Sequence, residues 1–148
     1  MSSYVSAELR RLVTARADGL CEYCLVHESD TFVGCTIDHV ISEKHGGLTI
    51  AENLALACAF CNRRKGTDLG SVTQNGELVR LFNPRADRWT DHFVIEGVRI
   101  VGRTDIGHAT ARLLGVNDAD RLLEREALLA VGRFPHPAAR ARVAPPDR

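Results

Sequence analysis

Four cysteines in two closely spaced pairs are the first residues in this chain that could do chemistry. They stand in the motifs CEYC at 21–24 and CAFC at 58–61. Each Cys-x-x-Cys turn aims two thiolates at one point, and two such turns complete the tetrahedral four-sulfur site that structural zinc prefers. A redox pair would explain one such turn but not two. We therefore expect a closed structural zinc site that contributes directly to folding, formed by Cys21, Cys24, Cys58 and Cys61.

Polar residues of a second kind lie between and just after the cysteine pairs. Asp38 and His39 are neighbours, and Asn62 follows the last cysteine. Adjacent side chains of an extended strand point to opposite faces, so a site that uses both Asp38 and His39 needs a twisted strand end. A metal that holds both cysteine turns would fasten the helix carrying Asn62 beside the strand carrying Asp38. The metal scaffold could thus hold distant polar groups in one geometry.

Local patterns predict the elements that position these residues. Ser6 is a plausible N-cap for a helix that ends at Asp18-Gly19. Residues 31–41 are rich in β-branched and apolar side chains and predict a strand, with Cys35 as a small buried hydrophobe. Residues 44–49 predict a loop, residues 54–58 a second strand, and residues 59–69 a helix that begins at the second cysteine pair.

The remainder of the chain predicts short strands and two helices. Asn75-Gly76 is a hairpin signal, and residues 92–96 and 98–101 flank Gly97 as a further pair of strands. Residues 104–114 predict a helix, and Asn117 is expected to cap a last helix with an apolar leucine and alanine face. We expect one domain over residues 1–132, with a core at 21–70 and a C-terminal extension at 71–132. Residues 133–148 hold most of the prolines and predict a loose tail.

The ordered motifs of the core resemble those of the HNH endonuclease family. These motifs are Asp-His-Val-Ile at 38–41, His-Gly-Gly at 45–47, Glu-Asn-Leu at 52–54 and Cys-x-x-Cys-Asn-Arg-Arg-Lys-Gly at 58–66. Residues 81–85, 89–93 and 102–104 more loosely resemble the C-terminal part of small bacterial members. The resemblance implies an α+β fold: a ββα-metal (His-Me finger) core stapled by a four-cysteine zinc, with an N-terminal helix and a C-terminal extension of short strands and helices.

The resemblance also implies a role for each matching residue. His39 matches the general base that activates water, and Asp38 matches a metal ligand. Asn53 matches the residue that braces the loop, and Asn62 matches the second metal ligand, where many members carry His. A loop proline common in the family is replaced by Ser42. Arg63, Arg64 and Lys65 follow Asn62 and are expected to hold the DNA backbone.

Phosphodiester hydrolysis is chemically consistent with these residue types. A neutral imidazole can take a proton from water near neutral pH. One divalent ion can neutralise the phosphate and help the leaving oxygen. Carboxylate and amide oxygens from Asp38 and Asn62 favour Mg²⁺ or Mn²⁺ over zinc at that catalytic position. The sequence therefore predicts a metal-dependent DNA endonuclease.

Two other functions remain open from the sequence. One is a zinc-stabilised nucleic-acid-binding module that does not cut, in which Asp38 is a turn residue and His39 a loop side chain. The other is a nuclease whose substrate is RNA. His45 is a weak candidate for lining the site, and His92, beside Trp89 and Phe93, is expected as a core or edge histidine.

Length and composition limit the class of protein. A chain of 148 residues with a formal net charge of zero is one domain and is no general polyanion binder, although residues 59–90 carry a local basic excess. No apolar run approaches membrane-spanning length, and the N-terminus lacks a secretory pattern. We expect a cytoplasmic protein, where disulfides do not persist, with no membrane partner and no small-molecule organic cofactor.

Overall fold

The computed structural model describes residues 4–144, which form an α+β arrangement of helices and three small antiparallel sheets. The helices are α1 (Ala7–Arg16), α2 (Ala59–Lys65), α3 (Trp89–His92), α4 (Asp105–Leu114), α5 (Ala119–Ala130) and α6 (Arg140–Val143). The strands are β1 (Cys35–His39), β2 (Leu54–Cys58), β3 (Gly70–Val72), β4 (Leu78–Arg80), β5 (Phe93–Glu96) and β6 (Arg99–Gly102). Over this range, no helix has the length and apolar character needed to cross a membrane.

A strand–strand–helix unit occupies the segment between the two cysteine pairs. Strands β1 and β2 are antiparallel, with Cys35 opposite Cys58 and His39 opposite Leu54. Helix α2 follows β2 directly, as predicted, but it ends at Lys65 because Gly66 adopts a positive φ of 53° that breaks the helical path. The predicted strand at 31–41 is shorter than expected, since its first residues form an exposed loop.

Helix α1 begins where its capping residue predicts. The Ser6 hydroxyl accepts a hydrogen bond from the backbone N–H of Leu9 at 3.1 Å, which satisfies one free donor of the first turn. Val13 and Ala17 pack on Leu54 and Leu56 of β2. This second small core holds helix α1 against the strand pair.

The main core joins the cysteine turns to the C-terminal extension. The rings of Phe82 and Phe93 lie 5.2 Å apart, and those of Trp89 and Phe93 lie 5.1 Å apart. The indole N–H of Trp89 donates to the backbone carbonyl of Tyr23 at 2.9 Å, inside the first cysteine turn. Residues that resemble the C-terminal part of small family members thus pack directly on the metal-binding turns.

The hairpins of the extension lie where their turn residues predict, but the N-cap of α5 is not the predicted residue. Asp118, not Asn117, stands at the N-cap of α5. The Asn117 side chain instead hydrogen-bonds both backbone groups of Ile100 on β6, at 3.0 Å and 2.8 Å. Asn117 therefore joins the segment before α5 to the β5–β6 hairpin, a long-range contact that local capping rules do not anticipate.

The buried face of α5 is also different from the predicted one. Leu123 and Leu129 are exposed, whereas Arg121 and Arg125 are buried. The arginines are buried because backbone oxygens and cysteine sulfurs lie within reach of their guanidinium groups. The pattern of apolar residues in the α5 sequence does not reveal these partners, because they lie on other elements.

The segment expected to be a loose tail is folded over most of its length. Residues 137–143 form a short 3₁₀ turn followed by α6, and Phe134 and Ala139 are buried. Arg133 pairs with Asp30, and the rings of His136 and His27 stack at 4.3 Å. Residues 133–144 therefore pack on the domain, while 145–148 of the predicted tail lie outside the described residues.

Candidate functional site

The four paired cysteines form one buried cluster of sulfur atoms. Their ligand atoms all lie within 4.8 Å of one another, and the sulfurs of Cys24 and Cys58 are 3.7 Å apart. Zinc–sulfur bonds of about 2.3 Å place the sulfurs of a tetrahedral site about 3.8 Å apart, so the cluster has the size that zinc requires. The separation is far too long for a disulfide between Cys24 and Cys58. The cluster therefore fits the expected structural zinc.

Backbone N–H groups shape both cysteine turns around this cluster. The N–H of Cys24 donates to the Cys21 sulfur at 3.5 Å, and the N–H of Cys61 donates to the Cys58 sulfur at 3.4 Å. Burial raises the pKa of the Cys21 thiol well above its ordinary value, because a thiolate in dry surroundings needs a cation beside it. Cys35 packs beside this cluster without belonging to it, and it is half-buried where a buried residue was expected.

Asp38 lies in a buried polar cluster of its own, near the end of β1. Its carboxylate accepts a hydrogen bond from the Tyr23 hydroxyl at 2.9 Å. The Lys65 ammonium lies 3.3 Å from Oδ1 and 3.2 Å from Oδ2, and it also donates to the backbone carbonyl of His39 at 3.0 Å. Asp38 and Lys65 are only 4% and 2% exposed. Burial raises the pKa of Asp38, although Lys65, Tyr23 and His39 act to lower it.

The oxygen atoms of Asp38 and Asn62 can be compared with the ligands that the expected catalytic ion needs. A carboxylate offers about four lone-pair sites, and Tyr23 and Lys65 use some of them. The remaining lone pairs of Asp38 and the amide oxygen of Asn62 are suited to a hard divalent ion. The residue types therefore fit the ion, with the Lys65 ammonium as a competing positive charge at one ligand.

His39 faces different surroundings from its neighbour Asp38. Its Nε2 lies 2.9 Å from the Thr49 hydroxyl and 3.6 Å from a Glu43 carboxylate oxygen. Its side chain is 18% exposed, and Nδ1 has no hydrogen-bond partner among residues 4–144. The ring is thus held at one nitrogen while the other remains available, an arrangement in which a histidine can accept a proton.

Asn53 closes the loop that separates His39 from β2. Its amide oxygen accepts from the N–H of Ile41, and its amide nitrogen donates to the carbonyls of Ile41 and Leu48, all at 2.9 Å. A Cβ at Gly47 would lie 1.6 Å from the Ile41 carbonyl oxygen, so only glycine permits this close approach. These contacts tie Ile41 and Leu48 to Asn53, and the role of Asn53 in holding the catalytic base stays a prediction.

Asn62 and the three basic residues after it fall into different environments. Asn62 is half-buried, and its side chain makes no hydrogen bond within the described part of the chain. Arg64 donates to the Leu113 carbonyl at 3.2 Å and lies 3.5 Å from Asp118, while Arg63 is exposed. Lys65 is buried against Asp38 and, in this conformation, lacks the surface that the expected DNA contact would need. Arg63 is therefore the exposed charge of the three that no hydrogen bond or ion pair engages within residues 4–144.

His45 and His92, the two other histidines considered from the sequence, lie in different surroundings. His45 is exposed on the loop after β1 and makes no side-chain hydrogen bond in the described range. His92 is half-buried, with Nδ1 2.7 Å from the Thr104 hydroxyl, and its ring packs edge-on against Phe82. His92 is thus a satisfied structural histidine.

Sequence reasoning missed the residues that support the candidate site from other elements. Thr49 and Glu43 contact His39, and Tyr23 contacts Asp38. Tyr23 lies inside the first cysteine turn, so its position near the cysteine cluster could have been inferred from the sequence. Its hydrogen bond to Asp38 could not. Thr49 and Glu43 carry no local signal, because a threonine and a glutamate in a polar loop are ordinary.

Comparison with protein families supports the resemblance drawn from the motifs. The family model described as HNH endonuclease matches residues 21–68, about a third of the chain, and this range contains the four cysteines, Asp38, His39, Asn53 and Asn62. The predicted resemblance is therefore confirmed for this segment, and it indicates a nuclease family in general. Searches of curated proteins and of solved structures gave no significant match.

Proposed function

We propose that this protein is a metal-dependent endonuclease that hydrolyses DNA phosphodiester bonds. The match of residues 21–68 to HNH endonucleases is the observation that carries the proposal. In this proposal His39 is the general base, Asp38 and Asn62 hold one divalent ion, and Asn53 keeps the loop in place. The cysteine-bound zinc is closed and structural, so it takes no part in the reaction.

The surroundings of His39 support its role as the base. A neutral ring that donates from Nε2 to the Thr49 oxygen leaves the Nδ1 lone pair free to take a proton from water. The Glu43 carboxylate, 3.6 Å from Nε2, would stabilise the imidazolium that results. Thr49 and Glu43 are thus proposed as positioning residues for His39.

Asp38 and Asn62 are the proposed ligands of the catalytic ion, which would be Mg²⁺ or Mn²⁺. Such an ion, when bound, would neutralise charge on the phosphate and on the leaving oxygen. Tyr23 and Lys65 fix the orientation of the Asp38 carboxylate from the protein side. Two protein ligands would leave coordination positions for water and phosphate oxygens.

The proposed DNA contact depends chiefly on Arg63. This side chain is exposed on α2, one residue after Asn62, and no hydrogen bond or ion pair engages it among residues 4–144. Arg64 can contribute charge, although Asp118 partly offsets it. A guanidinium at this place could bind a phosphate with two parallel hydrogen bonds.

One observation favours a second candidate, a zinc-stabilised module that binds nucleic acid without cutting it. The Lys65 ammonium already compensates the charge of Asp38 within a buried cluster. In this second candidate the Asp38–Lys65 pair serves the fold, and Asp38 holds no catalytic ion. Cleavage assays separate these two functions directly.

The decisive experiment measures nicking of supercoiled plasmid by zinc-loaded protein, first with EDTA and then with added Mg²⁺ or Mn²⁺. Removing a general base typically lowers the rate by about 10²- to 10⁴-fold, so His39→Ala should abolish visible nicking. Asn62→Ala should lose metal-stimulated nicking and keep its zinc. His108→Ala removes an exposed histidine of α4 and serves as the matched control.

Three outcomes are informative. Nicking by the wild type and His108→Ala, but not by His39→Ala, would support the nuclease. DNA binding without cleavage by any variant, on plasmid and on matched RNA, would favour the binding module. Equal cleavage by wild type and His39→Ala would remove His39 from the proposed site.

A further inference from the structure

Helix α5 places an arginine against the cysteine cluster. A guanidinium nitrogen of Arg121 lies 3.7 Å from the Cys58 sulfur and 3.9 Å from the Cys61 sulfur, within the range of N–H···S hydrogen bonds. Arg121 is only 5% exposed. A buried arginine needs a charged or strongly polar partner, because removing its charge from water is costly.

The other surroundings of Arg121 contain no stronger partner. Its guanidinium lies over the Phe60 ring, 5.0 Å from the centroid, and Phe60 stands between the two cysteines of the second turn. No carboxylate forms an ion pair with Arg121 in the range 4–144. Glu124 lines the same cavity of about 360 Å³ without pairing with it. The sulfurs of the second cysteine turn are therefore the anionic groups that Arg121 contacts.

We propose that Arg121 is an outer partner of the cysteine-bound metal and strengthens metal binding from the C-terminal extension. Four thiolates around one Zn²⁺ carry a net charge of −2, and the guanidinium offsets part of it where it contacts Cys58 and Cys61. Its N–H groups also hold these two sulfurs in position. The proposal concerns the zinc site alone and stands whether or not the protein cuts DNA.

This arrangement links metal binding to the docking of α5. The helix lies more than fifty residues beyond the last cysteine in sequence, and Arg121 joins it to the second cysteine turn. Residues around the ligands of a metal typically change its affinity by about 10- to 100-fold when they are replaced. Loss of Arg121 should therefore weaken zinc binding by about 10-fold or more.

Arg125 provides a matched control on the same helix. It lies one turn further along α5 and is 2% exposed, so it is at least as buried as Arg121. Its guanidinium donates to the backbone carbonyls of Val98 and Val116 and to the Asn117 side chain, at 2.6 Å, 2.5 Å and 3.2 Å, and within residues 4–144 it donates no hydrogen bond to a cysteine sulfur. A substitution at Arg125 disturbs the packing of α5 and leaves the sulfur contacts in place.

The test measures zinc affinity by chelator competition on the full-length protein, with circular dichroism to confirm folding. Arg121→Gln is expected to weaken zinc binding at least 10-fold, and Arg125→Gln less than 3-fold. Arg121→Lys keeps the charge but not the planar fork, so it should recover part of the loss. If Arg121→Gln does not fold at saturating zinc, Arg121→Lys takes its place: weaker zinc binding than in Arg125→Gln supports the proposal, and binding as tight as in Arg125→Gln overturns it.

Three results would overturn the proposal. The first is wild-type zinc affinity in a folded Arg121→Gln protein. The second is an equal loss of zinc affinity in Arg125→Gln, which would show that zinc affinity depends on the packing of α5 and not on the sulfur contacts of Arg121. The third is a folded Arg121→Lys protein that binds zinc no more tightly than Arg121→Gln and no more tightly than Arg125→Gln. That result would exclude charge compensation.

Discussion

Removal of the Lys65 ammonium is the most direct test of the buried cluster at the end of β1. In Lys65→Met the carboxylate of Asp38 would keep its hydrogen bond from Tyr23 and lose its only cationic partner among residues 4–144. At the observed separation of 3.2 Å and an effective dielectric constant of about 20, the attraction is about 5 kcal/mol. The cost of burying both charges offsets part of this attraction, and breaking such a pair on one side costs about 3–5 kcal/mol.

The free energy of unfolding can be measured by urea titration at saturating zinc, so that metal loss does not contribute. We expect Lys65→Met and Asp38→Asn each to be strongly destabilised. The double variant should be less destabilised than the sum of the two, with a coupling energy of at least about 2 kcal/mol. Arg63→Met, which changes an exposed residue of the same helix, should stay within about 0.5 kcal/mol of wild type. Additive effects of Asp38→Asn and Lys65→Met would refute the buried ion pair.

Three further predictions concern the loop and the metal. Asn53→Ala removes three backbone contacts and should cost about 2–3 kcal/mol, with faster hydrogen exchange at the Ile41 N–H as the local readout. Ser42→Pro should raise stability by about 0.5–1 kcal/mol in urea unfolding. Ser42 has a proline-like φ of −64°, and its buried hydroxyl has no partner in the described range. A loss of stability there would show that the N–H or the hydroxyl of Ser42 is needed. Cys58→Ala should lose bound zinc and compact structure together, so native circular dichroism without zinc would contradict the proposed scaffold.

Local rules were sufficient to locate strand β2 and the start of helix α1. Strand β2 occupies residues 54–58 as predicted, and α1 begins after its Ser6 cap. Both features depend on neighbouring residues: an apolar run bounded by polar loops, and a side chain that satisfies a free N–H three residues away. The spacing of the cysteines predicted one cluster for a related reason. Each Cys-x-x-Cys turn fixes the relative positions of its own two sulfur atoms.

Long-range polar contacts explain where sequence reasoning was wrong or incomplete. Lys65 was expected at the DNA surface because it belongs to the basic run next to the proposed metal ligand Asn62, yet it points inward to Asp38. Asn117 was expected as a helix cap, yet it binds Ile100. Each of these side chains fits the role that its neighbours in sequence suggest. In the folded protein each instead contacts a partner on another element, which the local sequence pattern does not reveal.

The sequence by itself determined the family resemblance, the four cysteines that are positioned to hold a metal ion and the order of the core elements, because these depend on residue type and spacing along the chain. Only the tertiary structure decided which charges are buried and what holds them. It paired Asp38 with Lys65, placed Thr49 and Glu43 beside His39, and brought Arg121 to the cysteine sulfurs. The physical reason is that a buried charge is stable only beside a specific partner, and folding brings such partners together from distant parts of the chain.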